Sequence, residues 1–174
     1  MTRPMCTYVA LLRAVNVGGS GRLPMSVLKA ACLDAGFARP ETHLSSGNVV
    51  FGSQLGREAV KAELEKRLLL RAGKNFDLVL RTAAEIQETL DADPFPAAPR
   101  DRVVAIFLEE PPPNDAFAHV TGLADEEMRL GPREIFVFYK SGIGRSKLKI
   151  AAAKNGTARN FNTIAQLATI ASRE

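Results

Sequence analysis

Residues 7–37 have the sequence TYVALLRAVNVGGSGRLPMSVLKAACLDAGF, in which an apolar run gives way to a glycine-rich loop and then to a helical pattern. The apolar, β-rich run at 7–15 predicts a buried strand. Three glycines follow Asn16, and Pro24 suits the first position of a helix that Gly36 would end. The stretch therefore predicts a strand, a crossover loop and a helix, which is the opening of a mixed α and β unit.

The rest of the chain predicts a similar order of elements twice. In the first half we expect a hairpin around Ser45-Ser46-Gly47, a helix at 57–73, a strand at 76–82 and a helix at 83–93. After the proline-rich linker at 94–101 we expect a strand at 102–110, a proline-led turn and short helix at 111–123, a hairpin around Gly131-Pro132, and helices at 144–155 and 162–173. The first half thus has the β-α-β-β-α-β order, and the second lacks an obvious fourth strand.

This pattern predicts an α+β protein with two tandem ferredoxin-like (α/β plait) subdomains, antiparallel sheets and C-terminal helices. The subdomains would cover residues 1–97 and 98–174. The composition, 46% hydrophobic and 24% charged over 174 residues, is ordinary for a globular protein.

The two cysteines, Cys6 and Cys32, have no metal-ligand spacing and predict reduced thiols. No apolar run reaches the roughly 18 residues that a bilayer span needs. The N-terminus shows no export signal. We therefore expect a cytoplasmic protein with no metal site and no membrane association.

Charge is distributed unevenly along the chain. The net charge is +3 over residues 1–54, −5 over 55–134 and +6 over 135–174, and no acidic residue occurs between Ile135 and Arg173. If the two basic segments meet in the fold, they form a positive face that attracts anions. The alternative is an accident of composition.

Four motifs together indicate that the chain resembles a known family. They are LLRAVNVGGSGRLPM (11–25), SSGNVVF (45–51), GIGRSKL (142–148) and ARNFNT (158–163). In these motifs the chain resembles a widespread bacterial family of uncharacterised proteins, a domain of unknown function, over about residues 7–170. The resemblance implies tandem α/β-plait subdomains and no established activity, cofactor or catalytic residue. Here Ala14 takes a glycine place of the family's first motif, and Phe161 stands where many members have Trp.

The glycine loop predicts half of an anion site, through Asn16, Gly18, Gly19 and Arg22. Glycines let backbone N–H groups turn toward a ligand, and the following helix start favours negative charge. The spacing matches neither a dinucleotide fingerprint nor a P-loop. The alternative is a crossover loop that needs positive φ angles.

Two further motifs admit both a functional and a structural interpretation. Ser46 and Asn48 could orient a ligand held by the first loop, although both types also fill turn positions because their side chains bond nearby backbone. Arg159 could contact an anion, whereas Asn160, Asn162 or Thr163 could cap the last helix and Phe161 could belong to the core.

The stretch SGIGRSKLK (141–149) supplies the second half of the expected site. Arg145, Lys147 and Lys149 would lie at the start of the helix predicted at 144–155, where cations oppose the helix dipole. A bound anion near Gly144 would relieve that repulsion. The alternative is pairing with carboxylates from the acidic middle segment.

We therefore expect a protein that binds a phosphorylated small molecule or nucleotide where the glycine loop meets Arg145, Lys147 and Arg159, between the two subdomains. One alternative is a nucleic-acid-binding module, and another is an assembly protein whose basic face meets an acidic protein partner. The two histidines, His43 and His119, are far apart, and nothing supplies a catalytic triad around them. The sequence assigns no reaction, catalytic residue or cofactor.

Overall fold

The computed structural model describes residues 3–16 and 21–173. The chain divides into two compact units. Unit 1 comprises the residues up to Gln87 together with those from Gln166 onward, and unit 2 comprises Glu88–Ala165. The subdomain division at residues 97 and 98 stays a prediction.

Unit 1 is built on a four-stranded antiparallel sheet. Its elements are β1 (Cys6–Leu12), α1 (Met25–Asp34), β2 (Ala38–Thr42), β3 (Asn48–Ser53), α2 (Arg57–Ala72), β4 (Leu78–Thr82) and α3 (Ala83–Asp91), whose last residues belong to unit 2. The strands lie in the order β2-β3-β1-β4, and every neighbouring pair is antiparallel. This is the order expected when a β-α-β crossover is split by an inserted strand.

The core of unit 1 joins the sheet to α1 and α2. Val60, Leu64 and Leu68 recur every four residues along α2 and are fully buried, as an amphipathic helix on a sheet requires. From the sheet, Phe51 stacks on Phe37 with ring centroids 4.4 Å apart. Gly73 ends α2 in the left-handed conformation, with φ of +77°. The predicted strand-loop-helix opening of the chain is thus present.

Unit 2 contains a second four-stranded antiparallel sheet. Its strands are β5 (Val103–Phe107), β7 (Glu127–Leu130), β8 (Glu134–Phe138) and β10 (Thr157–Asn160), in the order β10-β5-β8-β7. Two short strands, β6 (Val120–Thr121) and β9 (Lys149–Ile150), pair separately. The fourth strand that the sequence did not reveal is therefore β10, and it places the second sheet in the same order as the first.

The proline-led turn and short helix predicted at 111–123 correspond to a turn and a 3-10 helix at Ala116–His119, followed by β6. The helix predicted at 144–155 is wrong. The stretch 144–155 forms a 3-10 turn at Ile143–Arg145, then β9, then a 3-10 turn at Ala151–Ala153. Leu148 and Ile150 contribute to the cluster around Ile135 and Val137, and their two-residue spacing fits an extended segment rather than a helix.

The last helix, α4 (Phe161–Ser172), begins in unit 2 and continues into unit 1. Phe161 is 1% exposed, which confirms its predicted place in the core. The predicted α+β class, with antiparallel sheets and a C-terminal helix, is confirmed. None of the helices within residues 3–16 and 21–173 combines the length and apolar character needed to cross a bilayer.

Candidate functional site

The described part of the glycine loop is held together by the side chain of Asn16. Its Oδ1 accepts a hydrogen bond from the Leu23 amide at 2.8 Å, and its Nδ2 donates to the carbonyl oxygens of Leu23 at 2.9 Å and Ser45 at 2.7 Å. Gly21 has φ of +65°, and a Cβ there would lie 2.3 Å from the Ala14 carbonyl oxygen. Asn16 therefore ties the first loop to the loop of the β2–β3 hairpin.

Ser46 and Asn48 form the inside of that hairpin loop. The Asn48 side chain is fully buried, and its Nδ2 donates to the His43 carbonyl oxygen at 2.7 Å and to Ser46 Oγ at 3.0 Å. These contacts are those of a turn-stabilising amide. The structure thus brings together Asn16, Ser46 and Asn48 of the expected site, and their ligand contacts stay a prediction.

The remaining residues expected in the first loop are Gly18, Gly19 and Arg22. Gly18 and Gly19 lie outside the described residues. Arg22 is exposed, and its side chain has no hydrogen bond or ion pair with any residue that the structure describes.

Unit 2 carries a cleft of about 610 Å³, here named the charged cleft. Its lining combines glycines and hydroxyl groups with two cations and two carboxylates. The lining residues are Gly122, Ala124, Asp125, Glu126, Tyr139, Ser141, Gly142, Arg145, Ser146 and Lys147. The predicted site residues Arg145 and Lys147 therefore line one cleft. Gly144 directly precedes Arg145 in the chain.

The two carboxylates of the charged cleft are held by hydrogen bonds. Glu126 accepts from the Ala124 amide at 2.7 Å and from the Ser146 hydroxyl, and Asp125 accepts from the Ser141 hydroxyl at 2.5 Å. The Ser146 hydrogen bond, followed by the backbone hydrogen bonds, lowers the pKa of Glu126 below its ordinary value. Glu126 is consequently ionised at neutral pH, and its oxygens are engaged by the protein.

The two cations of the charged cleft differ from its carboxylates in their contacts. Arg145 and Lys147 are exposed, and neither side chain pairs with an acidic group anywhere in residues 3–16 and 21–173. The sequence predicted that the dipole of a helix starting here repels these cations. That prediction is wrong, because Arg145 ends a three-residue 3-10 turn instead of starting a long helix. A helix dipole therefore gives no reason to expect an anion here. The reason that remains is that Arg145 and Lys147 line the cleft without an ion-pair partner among the described residues.

Arg159 lies on β10 and does not line the charged cleft. Its guanidinium donates to Thr157 Oγ1 at 2.6 Å and to the Ala158 carbonyl oxygen at 2.9 Å. Burial lowers the pKa of Arg159 to about 10. Next to it, Asn160 Oδ1 accepts from the Thr163 amide at 2.9 Å, which confirms Asn160 as the cap of α4.

A second cleft of about 550 Å³, here named the apolar cleft, also lies in unit 2. Its lining combines aliphatic side chains with polar and charged ones. Lining it are Ile106, His119, Thr121, Tyr139, Leu148, Lys149, Ile150, Ala151, Ala153 and Lys154. Tyr139 lines both clefts, and burial, together with the charge of Glu126, raises its pKa, so that its hydroxyl is a neutral donor at pH 7.

Sequence reasoning missed the partners that shape the charged cleft. Asp125 and Glu126 belong to the acidic middle segment, and nothing local in the sequence distinguishes them from its other carboxylates. Ser141 and Ser146 lie within the basic motif. A signal existed in the second case, because a serine between Arg145 and Lys147 is a short polar group in a stretch rich in long cations. Its pairing with Glu126, 20 residues away, depends on the fold.

A family model and a solved structure match this chain. The family model described as "Protein of unknown function (DUF1697)" matches residues 5–136. The solved structure of the conserved bacterial protein SP0830 from Streptococcus pneumoniae is similar with a TM-score of 0.79 and 22% sequence identity, covering 97% of this chain and 99% of that one. No curated protein matches the sequence.

Proposed function

The chain belongs to the DUF1697 family of proteins of unknown function, and from its own residues we propose that it binds a phosphorylated small molecule or nucleotide in the charged cleft. The observation that carries the proposal is the pair Arg145 and Lys147. Both line the cleft, and both lack an ion-pair partner among the described residues. An oxyanion would give these two cations the charge-assisted hydrogen bonds that the protein does not.

The carboxylates of the cleft do not block this arrangement. Asp125 and Glu126 accept hydrogen bonds from Ser141, Ser146 and a backbone amide, so their charge is partly compensated from within the protein. Those same bonds hold the segment that carries Arg145 and Lys147 in one place. A site with positioned donors spends less free energy on ordering when a ligand binds.

The surrounding charge supports the same conclusion. Residues 135–173 carry seven Lys or Arg and no acidic residue. A local positive potential raises the concentration of anions near such a cleft and speeds their association. Cys6 and Cys32 are both free thiols, which suits the reducing cytoplasm, where phosphorylated metabolites and nucleotides are abundant.

The test is thermal unfolding of the wild type and of two variants, Arg145→Ala and Lys147→Ala, against phosphate, tripolyphosphate, sugar phosphates and nucleotides at fixed salt. A ligand present at about 100 times its dissociation constant adds about 2.7 kcal/mol to the free energy of unfolding, which raises the melting temperature. We expect a rise for the wild type and a rise at least halved in each variant, with the melting temperature of the unliganded protein unchanged.

Lys66→Ala is the matched control, because Lys66 is exposed on α2 in unit 1. It removes one positive charge and should keep the full ligand response. An equal loss of response in Lys66→Ala would mean that net charge, and not the cleft, attracts the anion. No response of the wild type to any small anion would refute the proposal.

A nucleic-acid-binding function is the second candidate, and one observation favours it. Arg145, Lys147 and Lys149 are all exposed and stand at every second position of one short segment, and such clustered cations can contact phosphates of a nucleic acid. Short single-stranded RNA and DNA belong in the same panel. Binding of these oligonucleotides that weakens steeply with salt, without any response to small anions, would favour the second function.

A further inference from the structure

The charged cleft and the apolar cleft adjoin each other within unit 2. Tyr139 lines both of them. Consecutive residues also line different clefts at two places. Thr121 lines the apolar cleft and Gly122 the charged cleft, and Leu148 lines the apolar cleft and Lys147 the charged cleft. A ligand of moderate length bound in one cleft can therefore reach the other.

The apolar cleft has the composition of a small-molecule site. Ile106, Leu148 and Ile150 supply aliphatic walls, and its volume of about 550 Å³ falls within the range of roughly 300–1,000 Å³ usual for such sites. Polar groups also line this cleft: the ammonium groups of Lys149 and Lys154, the Tyr139 hydroxyl, the His119 imidazole and the Thr121 hydroxyl. The side chains of His119 and Thr121 are exposed and make no side-chain hydrogen bond to any residue in the described ranges.

We propose that the ligand is a nucleotide, with its phosphates on Arg145 and Lys147 and its base in the apolar cleft. This inference rests on the proposed function, since it assigns a second part of the same ligand. A base has flat apolar faces to cover the aliphatic walls and the Tyr139 ring, and a polar edge for His119 and Thr121. A sugar phosphate would leave those walls uncovered, and a hydrocarbon-chain phosphate would remove water from His119 and Thr121 without giving them a hydrogen-bond partner.

The first experiment compares tripolyphosphate with the four ribonucleoside triphosphates by calorimetry, without divalent cations. These ligands share the triphosphate and differ in the nucleoside. We expect at least one nucleotide to bind about tenfold or more tightly than tripolyphosphate, because burying a base adds apolar area that tripolyphosphate lacks. Arg145→Ala should weaken the binding of both kinds of ligand.

The second experiment locates the base by methyl NMR of the wild-type protein. Ile106 and Ile150 report on the apolar cleft, and Ile86 in unit 1 is the internal control. We expect the nucleotide to shift the methyl resonances of Ile106 and Ile150, tripolyphosphate to leave them in place, and neither ligand to shift Ile86. Thr121→Val keeps the side-chain shape and should narrow the differences in affinity among the four nucleotides, with tripolyphosphate binding unchanged.

The outcomes separate this inference from the proposed function. If tripolyphosphate and all nucleotides bind equally, or if Ile106 and Ile150 do not respond, the base does not occupy the apolar cleft and only the inference fails. Differences in affinity among the four nucleotides that are as large in Thr121→Val as in the wild type would likewise refute the contact with Thr121. If neither tripolyphosphate nor any nucleotide binds, the inference fails. The proposed function fails with it if phosphate and the sugar phosphates do not bind either, or if only oligonucleotides bind.

Discussion

At Gly122 the chain turns with φ of +71°, and a Cβ placed there would lie 2.0 Å from the carbonyl oxygen of Lys147. Gly122→Ala should therefore lower the free energy of unfolding by at least about 1–2 kcal/mol, since an L-residue is strained at this φ and the β9 segment would have to move. Urea unfolding followed by circular dichroism measures the change.

Gly144→Ala is the control for that substitution. A Cβ at Gly144 meets no atom within 4 Å, and Gly144 has no positive φ. Its effect on the free energy of unfolding should stay within about 0.5 kcal/mol. Equal effects of the two substitutions would mean that the close approach of Gly122 to Lys147 does not constrain the cleft.

Ser146 and Glu126 make the stability of unit 2 depend on pH. Because the pKa of Glu126 is lowered in the folded protein, chiefly by the Ser146 hydrogen bond, its ionisation stabilises the fold above its ordinary pKa of 4.5. That contribution is lost as the pH falls through the lowered pKa of the folded state. Ser146→Ala should therefore destabilise the protein most at neutral pH, and the difference from the wild type should shrink below about pH 4.

Denaturant unfolding between pH 3 and pH 7 tests this expectation. Ser172→Ala is the control, because the Ser172 hydroxyl donates to the Thr169 carbonyl oxygen and not to a carboxylate. Its effect should be the same at every pH. A deficit in Ser146→Ala that does not change with pH would show that Ser146 acts through its other contacts, such as the hydrogen bond that it accepts from the Leu148 amide, and not through the ionised Glu126.

Among the elements, α4 offers a direct test of its cap. Asn160→Ala removes the side-chain oxygen that accepts from the Thr163 amide, and it should lower the free energy of unfolding by about 0.5–2 kcal/mol. Asn162→Ala is the matched control, since Asn162 is exposed in the first turn of the same helix. Thermal unfolding measures both effects. If Asn162→Ala lowers the melting temperature more than Asn160→Ala does, Asn162 and not Asn160 caps α4.

The helices of unit 1 could be predicted because their apolar residues repeat with the helical period, as Val60, Leu64 and Leu68 do on α2. The segment after Gly144 misled the prediction because Ala151–Ala153 have high helix propensity. Leu148 and Ile150 alternate instead, and pairing with β6 decides their conformation. Tertiary contacts therefore override local propensity in this part of unit 2.

Of the candidate site, only the two cations could be predicted from the sequence. Arg145 and Lys147 stand out in sequence because no acidic residue is near them on their C-terminal side. The contacts that shape the cleft join distant residues: Ser141 to Asp125 spans 16 positions, and Ser146 to Glu126 spans 20. No local pattern encodes such pairs, because their proximity results from the pairing of strands.

For the whole molecule, the discontinuous composition of unit 1 predicts how a fragment behaves. Residues from Gln166 onward belong to unit 1, and Leu167, Ile170 and Ala171 are buried. A fragment of residues 1–97 lacks these side chains. We expect its β1 amides to exchange with deuterium faster than in the full chain, because the apolar surface that the missing residues would cover becomes exposed.

Adding a synthetic peptide of residues 161–174 should restore part of that protection. A peptide carrying Leu167→Asp and Ile170→Asp is the matched control, and it should restore none. If the fragment alone protects β1 as well as the full chain does, residues 166–174 contribute nothing to the stability of unit 1.

The same discontinuity sets an order of events during synthesis. A ribosome releases Glu88–Ala165 before the residues from Gln166 onward that belong to unit 1. The unit whose residues emerge first can therefore be completed only after the whole of unit 2 has emerged.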